Sequence, residues 1–175
     1  PPSRFSYEEP GWSTGAPPLA TEIVIEARSG GTCTVRIVHS LFTSKDDWDD
    51  ELEGFERDLA SPLRVLKIYL AHFAGEHAAS ARSSSSFNGT LERVWLSMRE
   101  PLGLSTACVG EGFRAPLDSA SPMAGVLEHL EEAPTSRALT LRLERPMAGI
   151  AVIDVRGRGD RITVARTLKL YGENA

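Results

Sequence analysis

The chain has 175 residues and a mass of 19.0 kDa, enough for one large domain or two small ones. Its hydrophobic fraction of 41% and charged fraction of 25% are ordinary for a soluble globular protein. Its net charge of −5 argues against a nucleic-acid binder, and no apolar run approaches the roughly 20 residues of a membrane-spanning helix.

Cysteine usage predicts a cytoplasmic protein. Cys33 and Cys108 each lie in an apolar, strand-like context, and we interpret them as buried free thiols that suit a reducing compartment. The sequence carries no secretory signal. It opens on "PPSRFSYEEP" without an initiating Met, so we expect the amino-terminal part of the natural protein to be missing.

The first elements are predicted to be strands. Residues 3–8 form one candidate, followed by a loop rich in Gly and Pro that contains Trp12, an aromatic able either to cover a cavity or to plug the surface. Residues 20–42, "ATEIVIEARSGGTCTVRIVHSLF", alternate in polarity on both sides of "RSGG" and predict a hairpin. Its apolar face contains Ile23, Ile25, Ala27, Cys33, Val35, Ile37 and, at one end, His39.

Residues 46–73 are predicted to form a long helix. Apolar residues recur there at steps of three and four, which places them along one stripe that we expect to pack in the core. Pro62 should kink this helix or divide it in two, because proline lacks the amide hydrogen. The members of the stripe are Trp48, Leu52, Phe55, Leu59, Leu63, Leu66, Tyr69 or Leu70, and Phe73.

The remainder of the chain is predicted to be a linker, a helix and a meander of strands. Residues 74–89 are small and polar and are typical of a flexible linker. Residues 90–104, "TLERVWLSMREPLGL", have helical spacing and end at Pro101 and Gly103. Strands are predicted within residues 107–117, 124–132, 137–145, 149–156 and 161–172.

The order of these elements resembles the START-like, or SRPBCC, superfamily with its helix-grip fold. Three segments look like the branch of the activator of the ninety-kilodalton heat-shock chaperone's ATPase: "PPSRFSY", "GGTCTVRIVHSLF" and "GFERDLASPLRVLKIYL". The helix "LERVWLSMREPLGL" and the final "KLYG" resemble the same family more distantly. The resemblance implies an α+β fold in which an antiparallel sheet curves around a long carboxy-terminal helix. Ligand binding, chaperone activation and cyclase-type catalysis all occur among its members.

We therefore expect two helix-grip copies, each incomplete on this chain. Residues 1–73 would be the carboxy-terminal part of the first copy. Residues 74–89 would be the linker, and residues 90–175 the amino-terminal part of the second copy. Such unfinished sheets leave open an exchange of elements between two chains, that is, a homodimer.

The candidate ligand site lies between the hairpin and the long helix. His39 could hydrogen-bond a ligand there, or it could be satisfied by a neighbouring backbone carbonyl. Phe113 could face the corresponding cavity of the second copy. The predicted binding residues are His39, Ile23, Ile25, Val35, Ile37, Trp12, Phe55, Leu59 and Phe113.

No catalytic constellation, metal site or cofactor motif is predicted. The four histidines lack ligand spacing, and alternation sends Glu128 and His129 to opposite faces, so we interpret residues 128–132 as largely a solvated edge. The leading hypothesis is a non-enzymatic protein that binds a small hydrophobic molecule in the cavity. The alternatives are a chaperone co-factor that acts through its surface and a cyclase-like enzyme.

Overall fold

A computed structural model describes residues 3–12, 15–41, 49–115 and 122–172, without the side chains of residues 49–58 and 158. The chain divides into two compact units, Pro1–Arg57 and Asp58–Ala175. Each unit has its own antiparallel sheet, and the helices of the described residues complete an α+β fold, as predicted. Within the described residues, no helix has the length and apolar character to cross a membrane.

The first unit contains a three-stranded sheet in the order β1-β2-β3. Its strands are β1 (Arg4–Glu9), β2 (Leu19–Ala27) and β3 (Cys33–Leu41). Gly30 and Gly31 lie between β2 and β3 with φ of 72° and 74°, a left-handed conformation that glycine adopts without a steric cost. The predicted hairpin and its glycine turn are therefore confirmed.

The register of the hairpin places the predicted apolar residues on one face. Ile23 is directly opposite Ile37, and Ile25 is opposite Val35. Ile25 and Val35 are 45% and 38% exposed, and Phe5 of β1, on the same face, is 60% exposed. This face is therefore only partly covered within the described residues.

The long helix, α1, spans Asp49–His72 and continues through Pro62. Pro62 therefore does not divide the helix, and whether it kinks the helix stays a prediction. Residues 58–72 belong to the second unit, where Ile68 and the following Phe73 are buried against strand residues Ile150 and Val152.

The residues of α1 that pack on the second sheet agree with the predicted stripe at Tyr69 and the following Phe73, but not at the leucines. Leu63, Leu66 and Leu70 were expected in the core, but they are 40%, 41% and 58% exposed. The neighbouring stripe, with Val65 and Ile68, makes the contact instead. Both stripes have helical spacing, so the partner surface rather than the period decides which one is buried.

The second unit contains a six-stranded sheet in the order β4-β9-β8-β7-β6-β5. Its strands are β4 (Ala78–Asn88), β5 (Gly112–Arg114), β6 (Ala124–Glu132), β7 (Ser136–Arg145), β8 (Gly149–Arg158) and β9 (Arg161–Tyr171). The second helix, α2, spans Leu91–Arg99 and is followed by a 3₁₀ turn at Glu100–Leu102. The predicted helix and meander are thus present at the expected positions.

The predicted linker at residues 74–89 is largely a strand. Strand β4 pairs with β9 along its whole length, from Ala78 opposite Tyr171 to Asn88 opposite Arg161. Its residues are all exposed, which explains the polar, linker-like sequence of this sheet edge. The boundary between the two compact units falls within α1, after Arg57, rather than in this segment.

The main core of the second unit lies between α2 and one face of the sheet. Trp95 of α2 is 1% exposed and belongs to the same buried cluster as Leu141 of β7 and Val164 of β9. Phe113 of β5 belongs to that cluster as well. The other face of the sheet carries Ile150 and Val152, which pack against α1. The sheet is therefore covered by a helix on each face.

Both cysteines are free and exposed, so the prediction that they are buried is wrong. Cys33 begins β3 beside the turn, and Cys108 lies in the segment before β5. The nearby apolar residues Val35 and Val109 are exposed as well, so both cysteines lie in surface parts of their apolar runs.

Tyr171 should make the stability of the second unit sensitive to alkaline pH. Burial, then the nearby Tyr69 and Glu76, raise the pKa of Tyr171 above its ordinary value of 10.0. Because the folded pKa exceeds the unfolded one, this contribution to stability is present below pH 10.0 and is lost as pH rises through the folded pKa.

The test is urea unfolding of the wild type and of Tyr171→Phe at pH 8 and pH 11. The variant keeps the ring that stacks on Phe73 at 4.3 Å, so we expect it to lose less stability at alkaline pH than the wild type. Tyr7→Phe, at a 42% exposed ring, is the control and should behave as the wild type. Equal alkaline losses in all three proteins would contradict the prediction.

Candidate ligand-binding cavity

A cavity of about 470 Å³ lies in the second unit, between α2 with its 3₁₀ turn and strands β4, β9 and β8. Its described lining residues are Ala81, Arg82, Ser83, Ser97, Met98, Pro101, Leu102, Met123, Ala151, Val152, Ile153, Arg166, Thr167 and Leu168.

Local signals define both ends of the segment formed by α2 and its 3₁₀ turn. At the start, the Thr90 hydroxyl accepts a hydrogen bond from the amide of Arg93 at 3.3 Å, which caps the first turn. At the end, Gly103 adopts a φ of 69° and terminates the 3₁₀ turn. These signals set the length of the segment that forms one wall of the cavity.

A polar cluster of buried Trp95 and Arg99 with the exposed Glu132 holds α2 against the sheet. Trp95 donates its indole N–H to Glu132 Oε1 at 2.7 Å. Arg99 donates to the carbonyl of Leu104 at 2.6 and 3.1 Å and lies 3.4 Å from the same Glu132 oxygen. Because the guanidinium is almost fully buried, each of these partners compensates its lost hydration. The cluster thereby places Ser97 and Met98 at the cavity.

The lining is mainly apolar and adaptable. Ala151 and Ile153 of β8 form part of the wall, and two of the chain's three methionines, Met98 and Met123, complete it. Unbranched thioether side chains adjust readily to the shape of a bound molecule. The Ser97 hydroxyl donates to the carbonyl of Val94 at 2.8 Å, so it already has a partner within its helix.

The polar side chains of the described lining are hydroxyls and guanidinium groups. The described lining residues include no carboxylate, imidazole, thiol or phenol side chain. Two arginines reach the lining, and strand alternation separates them. Arg166 shares its face of β9 with the core residues Val164 and Leu168, whereas Arg82 alternates with the lining residues Ala81 and Ser83 of β4.

The predicted binding residues of the hairpin lie in the first unit, and none of them lines this cavity. A separate depression of about 380 Å³ in the first unit is lined by residues of all three strands, but it does not include Ile23, Ile25, Val35, Ile37 or His39. Whether these five residues bind a ligand stays a prediction.

His39 is half-buried, with Nδ1 lying 2.9 Å from the hydroxyl of Thr21. The two residues are directly opposite each other across β2 and β3, and Thr21 is only 2% exposed. The hydroxyl of Thr21 is thus the partner of this ring nitrogen, and the two alternatives predicted for His39, a ligand or a backbone carbonyl, stay predictions. The contact supplies Thr21 with the hydrogen bond that its burial demands.

The other predicted binding residues are dispersed. Trp12 donates its indole N–H to the carbonyl of Pro17 at 2.8 Å and so braces its own loop. Leu59 is half-buried on α1, and the side chain of Phe55 lies outside the described residues. Phe113 is 6% exposed in the main core and does not line the cavity.

In the acidic segment 128–132, Glu131 and Glu132 are exposed, as predicted, whereas Glu128 and His129 are half-buried. Glu128 accepts a hydrogen bond from Arg142 at 2.7 Å, and Glu132 belongs to the polar cluster at α2. His129 Nε2 lies 3.5 Å from Glu131, which is also 3.8 Å from Arg64. These hydrogen bonds and ion pairs connect strand β6 to β7 and to α1. Among the described residues, no group of three His, Cys, Asp or Glu side chains is placed to hold a metal ion.

Arg166 could have been found from the sequence. In "RITVARTLKLY", the positions that share its face are Ile162, Val164, Leu168 and Leu170, so one cation interrupts an otherwise apolar alternation. An uncompensated charge on a core-facing position is more informative than an apolar residue there. The lining contributed by β4 had no such signal, because residues 78–88 resembled a linker.

Neither a family model nor a curated protein matches this sequence. Solved structures are similar at low identity. CalU16 from Micromonospora echinospora is 12% identical, with a TM-score of 0.39 over 57% of this chain and 71% of CalU16.

Two further structures align over most of this chain. The di-domain ARO/CYC BexL, from the BE-7585A biosynthetic pathway, is 12% identical, with a TM-score of 0.38 over 98% of this chain and 63% of BexL. DynU16, from the dynemicin biosynthetic locus, is 13% identical, with a TM-score of 0.30 over 95% of this chain and 62% of DynU16. At such scores the likeness is partial, and no function follows from it.

Proposed function

We propose that this protein is a START-like, non-enzymatic binder of a small hydrophobic molecule. The binding site is the cavity between α2 and strands β4, β9 and β8, rather than the hairpin face. The observation that carries this proposal is the cavity itself, whose volume of about 470 Å³ falls within the range of roughly 300 to 1,000 Å³ typical of small-molecule pockets.

The composition of the wall supports a hydrophobic ligand. Each Å² of apolar surface removed from water contributes about 25 cal/mol, so a mostly apolar molecule gains most of its affinity from contact with this wall. Ala151 and Ile153 are buried and rigid parts of the sheet, while Met98 and Met123 are able to adapt. The site is thus largely formed before a ligand enters.

Filling the cavity is expected to abolish binding of a neutral apolar probe. Ala81 lies on the exposed edge strand β4 and lines the cavity, so Ala81→Trp places an indole in the space without displacing a buried core residue. We expect Ala81→Trp to weaken the binding of Nile red, measured by its fluorescence, by at least about tenfold.

Ser84→Trp is the matched control, because Ser84 is exposed on the same strand and does not line the cavity. It adds the same indole and should bind Nile red as the wild type does. Failure of the wild type to bind the probe would overturn the proposal, and so would equal binding by Ala81→Trp. If the wild type binds Nile red and Ala81→Trp does not, native mass spectrometry of wild-type protein purified from cell extract would identify a co-purifying molecule.

The other functional hypotheses stay predictions. A cyclase-like enzyme would need titratable side chains that converge in the cavity, and the described lining does not supply them. A chaperone co-factor would act through a surface such as the exposed row of Leu63, Leu66 and Leu70. The homodimer and the cytoplasmic location are equally untested.

A further inference from the structure

Arg166 is a cation placed within an apolar environment at the wall of the cavity. Its neighbours across the sheet are Ser83 of β4 and Ile153 of β8. Along its own strand and face, Val164 is buried and Leu168 packs against the main core. Arg166 is an exposed residue that also lines the cavity, which indicates that it lies where the cavity meets water.

Arg166 differs in its partners from Arg142 of β7 and from Arg99 of α2. Arg142 and Arg99 each pair with a glutamate, at 2.7 and 3.4 Å respectively. Within the described part of the chain, Arg166 forms no ion pair, and no acidic residue is among the lining residues described. The cation is therefore available to a ligand.

A guanidinium in this position selects for a particular kind of ligand. It stays protonated at any physiological pH, and its planar donors match the two oxygens of a carboxylate. An apolar wall excludes water and strengthens the attraction between opposite charges. A molecule with an apolar body would bury that body against Ala151 and Met98 and leave its charged end beside Arg166.

We propose that the cavity binds an apolar molecule that carries a carboxylate, and that Arg166 binds this carboxylate at the cavity mouth. This inference rests on the proposed function and adds the chemical class of the ligand. It makes Arg166 the residue that decides between anionic and neutral ligands, while the apolar wall supplies affinity for both.

Three probes with the same alkyl chain test the inference: decanoate, 1-decanol and decylammonium, each used below its aggregation concentration to displace Nile red. We expect decanoate to bind the wild type at least about tenfold more tightly than 1-decanol, the factor of a single charge-assisted hydrogen-bonded pair. Decylammonium should bind more weakly than 1-decanol, because it brings a second positive charge to Arg166.

Substitutions of Arg166 test whether this residue causes the preference for decanoate over 1-decanol. Arg166→Gln should bind decanoate and 1-decanol within about twofold of each other, and Arg166→Lys should retain a preference for decanoate because it keeps the charge. Arg161→Gln is the matched control: it removes an exposed arginine from the same strand at a position that does not line the cavity. This control should keep the preference of the wild type.

The outcomes separate the inference from the proposed function. Equal binding of all three probes by the wild type overturns the inference and leaves the hydrophobic site intact. A preference for decanoate that persists in Arg166→Gln, or disappears in Arg161→Gln, also overturns it. Loss of Nile red binding altogether, or indifference to Ala81→Trp, instead overturns the proposed function.

Discussion

Gly125→Ala is expected to lower the free energy of unfolding by about 3 kcal/mol or more, or to prevent the second unit from folding. Gly125 lies in β6 beside an irregularity in its pairing with β7. A Cβ added there would overlap the backbone carbonyl of Arg142. Backbone cannot rotate away as a side chain can, so β6 would have to separate from β7 and disturb the buried contact of Leu127 with Leu141.

Urea unfolding followed by circular dichroism measures this effect, with Gly112→Ala as the matched control. Gly112 is in β5, which pairs with β6, but its added Cβ would approach the carbonyl oxygen of Gly125 no closer than 3.7 Å. Alanine there should be neutral or slightly stabilising, since it restricts the unfolded chain more than glycine does. A Gly125→Ala protein as stable as Gly112→Ala would show that the two strands are not in close contact.

Arg99→Met is expected to destabilise the second unit by about 2 to 4 kcal/mol. Methionine preserves the aliphatic part of the side chain but removes the donors to the carbonyl of Leu104 and the contact with Glu132. Leu104 is fully buried, so its carbonyl loses partners that water cannot replace. The substitution also removes the hydrogen bonds that hold the chain directly after the 3₁₀ turn, which forms part of the cavity wall. We therefore expect Arg99→Met to bind Nile red more weakly as well as to be less stable.

Arg93→Met provides the control on the same helix. Arg93 is exposed, so this change should alter the free energy of unfolding by less than about 0.5 kcal/mol. Both variants are compared with the wild type by the midpoint of urea unfolding at unchanged slope. If Arg99→Met resembles Arg93→Met, the polar cluster of Trp95, Arg99 and Glu132 does not hold α2 to the sheet.

The hairpin could be predicted from the sequence because two local signals agree there. Strict alternation defines the two faces of the hairpin, and Gly30 and Gly31 define its turn. Together these two signals determine the register in which Ile23 pairs with Ile37. The meander from β6 to β9 has the same character. Local patterns of this kind report on the strand itself and need no knowledge of distant segments.

The packing of α1 and the location of the cavity could not be predicted in this way. Leu63 and Leu66 fit a helical stripe as well as Val65 and Ile68 do, and only contact with the second sheet decides between the two stripes. The cavity depends on residues brought together from β4, α2, β8 and β9, which are far apart in sequence. The apolar face of the hairpin is therefore easier to identify from the sequence as a candidate ligand site than the cavity, whose residues come together only in the fold.

The pairing of β4 with β9 has a consequence for how the second unit forms. Even the pair closest in sequence, Asn88 and Arg161, is separated by more than half of the second unit, so the ribosome releases β4 well before its neighbour exists. Until β9 has been synthesised, the backbone amides of β4 have no partner strand, and such an unpaired strand can associate with other chains. The serines of β4 make it a poor aggregation nucleus during this interval, whereas a valine-rich edge would carry that hazard through most of synthesis.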